Sequence, residues 1–308
     1  MDTPLLFDFQ VNGFGGVDFQ RDGLPPAEWA RAAGSLRSHG VRAFFAAFVT
    51  AAIDRLCRRL EACERACSCD SLLRSQVAGY HLEGPWLSPD AGYRGAHPPG
   101  PMHAPSAAEF DRLQDAASGR IRLVTLAPEW PGSPEFIAYL VRRGVHASLG
   151  HTNASEPEID AAIRAGARFA THLGNGVPQT LPRHDNVVQR LLARDELTAC
   201  FIPDGIHLPP FVLRNFVRAK PAGRVLFTTD CMSAAGAGPG RYTLGELEID
   251  VGADGAARMP GGGGLAGSTL TPDEGVRRVA AYLGLSGGEA LRLWSDAPAA
   301  AFGVRLPA

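Results

Sequence analysis

Short runs of β-branched and aromatic residues alternate along this chain with stretches whose apolar residues recur at spacings of three and four, the signature of repeated strand–helix units around a parallel sheet. Strands are expected over Leu5 to Gln10, Val41 to Phe48, Val77 to His81, Ile121 to Leu126, His146 to Leu149, Arg168 to Thr171, Thr198 to Ile202 and Val225 to Thr228. Between them helices are expected over Pro25 to Ser38, Ala51 to Cys67, Ala107 to Ala117, Pro134 to Arg143, Glu156 to Ala165, Asn186 to Arg194 and Phe211 to Ala219. Eight strands in this rhythm predict a (β/α)₈ barrel, and at 308 residues the whole chain, 1–308, reads as one barrel domain. Beyond the eighth strand, Tyr242 to Arg258 alternates around Asp254-Gly255 and reads as an inserted β-hairpin. The glycines at 261–264 make the next loop mobile in this reading, and further helices follow. An open doubly wound sheet would need a dinucleotide loop behind the first strand. Gly13-Phe14-Gly15-Gly16 is glycine-rich, but no helix starts directly after it.

Composition narrows the function classes. Hydrophobic residues make up 45% and charged residues 20% of the chain, enough to bury a large core, and a net charge of −2 offers no field for nucleic acid or an anionic membrane. No apolar run approaches the roughly 20 residues that span a bilayer, and no leader-like segment opens the chain, so a cytoplasmic protein is expected. Cys57, Cys63, Cys67 and Cys69 crowd one helical segment without a paired C-x₂-C spacing, and Cys200 and Cys231 lie at later strand ends. Reduced thiols rather than a zinc cluster follow. The single lysine, Lys220, falls at a helix end. Chemistry that needs a lysine in the site, a Schiff base or a carbamate bridging two metals, is excluded on that ground.

Active sites of such barrels lie at the C-terminal ends of the strands, and polar side chains collect there in this chain. Strand one ends in Gln10-Val11-Asn12, strand three in His81-Leu82-Glu83, and strand five is followed by His151. Strand six is followed by His172, strand seven by Asp204 and His207, and strand eight by Asp230. A lone histidine on an apolar strand is more often a hydrogen-bonded core residue than a ligand. Glu83, His151 and His172 together, however, are two imidazoles and a carboxylate, a common catalytic metal shell that leaves a position open for water. Asp230, at the barrel rim, is a candidate acid/base, with a hydrogen-bond acceptor or fourth ligand as the alternatives. His39, His103, His146 and His184 sit in helix ends, loops or a strand start and receive no chemical role.

The same stretches resemble the N-acetylglucosamine-6-phosphate deacetylases, a branch of the amidohydrolase superfamily. The matching segments run in family order: Asp8 to Gly13, His81 to Trp86, Arg94 to Pro98, Val124 to Glu129, Gly150 to Ala154, Thr171 to Asn175, Asp204 to His207, Thr229-Asp230 and Leu265 to Ser268. The resemblance implies a barrel of the amidohydrolase type and hydrolysis of the N-acetyl group of an amino sugar. It implies Glu83, His151 and His172 as ligands of one divalent ion, zinc first and iron as the alternative, with Asp230 as acid/base. His97 looks like the histidine that polarises the acetyl carbonyl. Asn175 and the Gly176 backbone look like phosphate contacts, His207 like a contact to a sugar hydroxyl, and Arg183 like an arginine that reaches phosphate across the interface of a homodimer. Gln10-Val11-Asn12, where two-metal relatives carry His-x-His, favours a single ion.

The chain departs from the pattern in three places. Family members usually carry a small β-sandwich built from segments flanking the barrel, and since this chain starts at strand one and stops at Ala308 the sandwich is expected to be missing. The usual Asn-Ala-Met is Asn175-Gly176-Val177, and the surroundings of Arg183 lack the usual flanking glycines. Both changes touch the phosphate end. An unphosphorylated or otherwise modified N-acetyl sugar of a biosynthetic pathway is therefore the alternative substrate, and a non-catalytic sugar-binding barrel the alternative class.

Overall fold

The computed structural model describes residues 5–262 and 264–306. Eight parallel strands form one sheet in sequence order: β1 (Leu6–Val11), β2 (Val41–Val49), β3 (Val77–Glu83), β4 (Ile121–Leu126), β5 (His146–Leu149), β6 (Phe169–Ala170), β7 (Thr198–Phe201) and β8 (Val225–Phe227). A parallel bridge between Val11 and Cys231, with the Asn12 N–H donating to the Cys231 carbonyl at 2.8 Å, brings the chain after β8 back against β1. The order leaves no place for a doubly wound crossover at the first strand. Gly13-Phe14 instead pairs with Val17-Asp18 in a minimal antiparallel ladder.

Helices form the outer layer, since strands buried on both faces need cover from outside. They are α1 (Pro26–Ser38), α2 (Ile53–Cys69), α3 (Ser71–Gln76), α4 (Ala107–Ala116), α5 (Ser133–Arg142), α6 (Glu156–Ala165), α7 (Val187–Leu192), α8 (Pro210–Ala219), α9 (Pro272–Leu283), α10 (Gly287–Trp294) and α11 (Asp296–Phe302). Several begin where a side chain satisfies the free N–H groups of the first turn: Asp70 for α3, Asn186 for α7, and Ser155 with Glu158 and Ser286 with Glu289 as reciprocal caps for α6 and α10. The hydrophobic pattern alone passes over α3, because one turn and a half is too short to show a period. None of the described helices is long and apolar enough to cross a membrane.

The insertion after β8 has one strand more than expected. β9 (Gly240–Leu244), β10 (Leu247–Val251) and β11 (Ala257–Arg258) make a three-stranded antiparallel sheet. A tight turn at Gly245-Glu246 joins the first two strands, and Asp254-Gly255 lies between the second and third. Alternation continues through the Gly245 turn, so the sequence reads two strands as one. The buried Asp18 carboxylate fastens this turn, accepting from Thr243 Oγ1 at 2.9 Å and Gly245 N–H at 2.8 Å. After Pro260–Gly262, a short 3₁₀ turn, Gly263 of the expected glycine loop lies outside the described residues.

The two ends of the barrel differ in chemistry. Near the N-terminal ends of the strands, Phe7, Phe9, Phe45 and Phe169 fill the interior, and α11 drives Phe302 among them. Ring centroids lie 5.0 Å from Phe9, 5.5 Å from Phe45 and 4.7 Å from Phe169. This aromatic plug fills the barrel interior at that end. Phe302→Ala is expected to lower the unfolding free energy by about 3–5 kcal/mol, the usual cost of emptying a buried phenylalanine site. Denaturant titration checks this, and a loss below about 1 kcal/mol would show that α11 covers the barrel without filling it.

Candidate metal centre and active site

At the mouth, backbone geometry singles out the residues that follow the strands. Four of the described non-glycine residues have positive φ, and three of them are His151 (φ 51°), His172 (φ 29°) and Asp230 (φ 50°). Such conformations strain an L-residue and persist where the surroundings over-determine them, most often at functional sites. Each lies two or three residues beyond the end of its strand.

These side chains converge on Glu83, the last residue of β3. His172 Nε2 lies 2.8 Å and His151 Nε2 3.3 Å from Glu83 Oε1, while His97 Nε2 is 3.7 Å from Oε2. All four residues are buried. Ring orientation follows from the outer partners. His151 Nδ1 donates to the Tyr93 carbonyl at 2.8 Å, which turns its Nε2 toward the carboxylate. His97 Nδ1 faces the Thr50 N–H at 3.4 Å and Thr50 Oγ1 at 3.1 Å, which turns its Nε2 toward Glu83. His172 Nδ1 is buried without a partner among the described residues.

His151 Nε2 and Glu83 Oε1 face each other at 3.3 Å, two atoms placed so that both can meet one cation. Nitrogen and carboxylate donors on three strands, with the outer nitrogen of His151 held by a carbonyl, fit a divalent transition metal. Donor atoms of Glu83, His97 and His151 all lie within 4.8 Å of one another, so the compact donor group among the described residues takes in His97, with His172 reaching the same carboxylate through Glu83 Oε1.

Burial by itself would keep Glu83 neutral, but hydrogen bonds to His151 and His172 and the field of His97 outweigh it and hold the carboxyl well below its usual range. Asp230 goes the other way. Burial first, then the charge of Glu83, pushes its carboxyl well up, against the opposing effects of His172 and of Asn12, whose Nδ2 donates to Oδ1 at 2.7 Å. Two carboxyl groups pushed apart in this way can divide between ligand and acid/base roles. Burial holds His97 neutral, down to about 3, and His81, down to about 4. His81 contacts the Phe9 carbonyl and Thr125 Oγ1 and belongs to the barrel interior.

The remaining candidates divide. Asp204 accepts the Ile206 and His207 N–H groups at 2.9 and 2.8 Å and His207 Nδ1 at 2.6 Å, which fixes that ring with Nε2 free. Gly176 has φ 62°, and a Cβ there would lie 2.7 Å from His151 Nδ1, so its backbone rests directly against the imidazole. Asn175 beside it carries a buried Nδ2 with no partner among the described residues. Arg183 is not brought to the cluster; it is exposed on the loop between β6 and α7. Lys220, as expected, lies far from the mouth, at the end of α8, where Nζ donates to the Arg194 carbonyl.

Sequence reasoning missed the supports. Thr50 follows β2 and meets the strand-end criterion applied to the other strands. Asp8, buried in β1, accepts from Thr228 and Thr229 and so fixes the approach to Asp230. Tyr93 acts through its carbonyl, for which no side-chain pattern gives a signal.

No family model matches the chain. Individual proteins do. It is 36% identical over 314 residues to the bovine N-acetylglucosamine-6-phosphate deacetylase, covering 98% of this chain and 74% of the relative. The chain belongs to the N-acetylglucosamine-6-phosphate deacetylase family. An N-acetylgalactosamine-6-phosphate deacetylase of Escherichia coli O157:H7 is 32% identical, covering 98% of this chain and 78% of that one. Among solved structures, a point mutant of the Mycobacterium smegmatis N-acetyl-D-glucosamine-6-phosphate deacetylase in complex with N-acetyl-D-glucosamine-6-phosphate superimposes with a TM-score of 0.86 at 37% identity, over 98% of this chain and 78% of that one. The Pasteurella multocida enzyme gives 0.86 at 29%, over 98% and 77%. This chain thus spans about three quarters of the length of these deacetylases.

Gly176, which stands where the resemblance implies an alanine, is in a left-handed conformation pressed on His151. Restoring it by Gly176→Ala is expected to lower stability by about 1–3 kcal/mol, from backbone strain and overpacking together. Equilibrium unfolding measures the effect, and an unchanged midpoint would show that His151 moves freely aside.

Proposed function

We propose that this chain hydrolyses the N-acetyl group of N-acetylglucosamine 6-phosphate, releasing acetate and the free amine. One observation carries the reading: the buried Glu83 carboxylate is met by His172 and His151 at 2.8 and 3.3 Å, beside a second buried carboxyl group, Asp230, which Asn12 orients at 2.7 Å. In this reading Glu83, His151 and His172 hold one divalent ion, zinc or else iron, since the donor set suits both. When bound, such an ion supplies Lewis acidity, drawing charge from the amide carbonyl and lowering the pKa of water.

The chain's own groups do the rest. Asp230, steadied by Asn12, takes the proton from the attacking water and delivers it to the departing nitrogen. His97 points its Nε2–H at the acetyl oxygen, where negative charge develops. His207, turned by Asp204, holds a sugar hydroxyl. Asn175 and the Gly176 N–H meet the phosphate. Arg183, exposed in one chain, reaches a phosphate only if a second subunit presents it, so a homodimer belongs to this reading. A single domain over 1–308 and a cytoplasmic location, where phosphorylated sugars are retained, complete it; neither nucleic acid nor membrane has a part. Retention of both Asp230 and His97, which a sensor does not need, argues against a non-catalytic barrel.

Gly176-Val177 and the exposed Arg183 favour a second reading, an unphosphorylated or modified N-acetyl sugar. A panel of N-acetylhexosamines with and without the 6-phosphate, assayed for released acetate, separates the two. Arg183→Ala is expected to raise KM for the phosphorylated sugar well beyond its effect on the unphosphorylated one. Equal effects would favour the second reading.

Asp230→Asn is expected to keep about one ion per chain but lower kcat by at least about 10²-fold, whereas His151→Ala or His172→Ala loses both ion and activity. Elemental analysis beside steady-state kinetics decides this. Two ions per native chain would refute the single-ion assignment, and loss of the ion from Asp230→Asn would make Asp230 a ligand.

A further inference from the structure

A cavity of about 770 Å³ opens at the end of the barrel opposite Glu83, among the starts of β5 to β8 and the C-terminal end of α8. Its size falls in the range of about 300–1,000 Å³ that holds small organic ligands. The deacetylation chemistry makes no use of it.

The lining is divided. Val217, Leu283, Leu285, Leu293, Ala297 and Ala301 supply an aliphatic side, while Arg168, Arg214, Arg218, Lys220 and Arg224 supply cations. No carboxylate lines it among the described residues. Two of the cations are engaged by backbone: Arg168 donates to the Ile163 and Ala167 carbonyls, and Lys220 to that of Arg194. Asp195 and Glu196 act on Lys220 from outside the cavity. Arg214, Arg218 and Arg224 have neither an ion pair nor a side-chain hydrogen bond among the described residues. Arg218 lies in the last turn of α8, where the helix dipole alone favours a cation, but Arg224 stands in the connection before β8 and Arg214 in mid-helix. In a chain of net charge −2, these forks beside an exposed aliphatic recess are matched by no acidic group among the described residues.

We propose that this cavity binds a single-chain anionic amphiphile, its aliphatic tail against the leucines and alanines and its phosphate or carboxylate head between Arg214, Arg218 and Arg224. Forked guanidinium donors suit either oxyanion, and the aliphatic wall gains from covering a chain of methylenes.

Calorimetric titration of the full chain with dodecyl phosphate and dodecanoate, below their micelle concentrations, tests this against dodecyl maltoside and inorganic phosphate. Saturable binding of an anionic amphiphile is expected, with the ratio of the two affinities identifying the preferred head, and much weaker binding of the neutral detergent and of free phosphate. The double variant Arg218→Glu, Arg224→Glu should weaken binding by about tenfold or more, as loss of charge-assisted hydrogen bonds does. Ala301→Trp, which fills the aliphatic side, should abolish it. Circular dichroism melts establish that both variants remain folded. Equal affinity for dodecyl maltoside, no binding at all, or a dimer that the arginine variants dissociate without any amphiphile bound would each overturn the proposal.

Discussion

A carboxylate buried among imidazoles is the constraint that organises this molecule. Removing Glu83 from water costs several kcal/mol unless its charge is met at close range. That demand fixes the neighbours: His172 at 2.8 Å, His151 at 3.3 Å and His97 at 3.7 Å. Each imidazole then needs its own outer anchor, which Tyr93 supplies for His151 and Thr50 for His97. Left-handed backbone at His151, His172 and Asp230 is the conformational cost of aiming side chains from parallel strands at one point.

The rest of the fold keeps that cluster isolated. Phe302 and the phenylalanines around it close the far end, so that polarity along the barrel axis runs in one direction only. The insertion after β8 contributes at the other end. Its return segment lays Ser268 beside Cys231, with the Ser268 N–H donating to the Asp230 carbonyl at 2.9 Å, while Asn12 holds the side chain. Asp230 is thus fixed through both main chain and carboxyl group. That rigidity is what an acid/base must have if proton transfer is to occur without reorganisation.

The groups implied by the resemblance are not equally gathered. Glu83, His97 and His151 share one small volume. Gly176 rests against the His151 ring, whereas Arg183 lies exposed on its loop. The relatives named for the gluco and galacto forms of a 6-phosphorylated N-acetyl sugar are about equally similar to this chain, at 36% and 32% identity.

The sequence by itself determined the barrel and the membership of its mouth. Eight apolar runs with polar residues at their ends carry that information locally, because period and strand-end position are properties of neighbouring residues. Glu83, His151, His172 and Asp230 were legible for this reason. What the tertiary structure alone decided is how they meet. Alternation merged β9 with β10 and hid the Gly245 turn, since local pattern does not report a chain reversal that Asp18, far away in sequence, secures. The orientation of the His97 and His151 rings and of the Asp230 carboxyl depends on Thr50, Tyr93 and Asn12, distant residues that only folding places within hydrogen-bond reach. Electrostatics in a buried site depends on distances of a few ångströms, and those are set by packing, not by order along the chain.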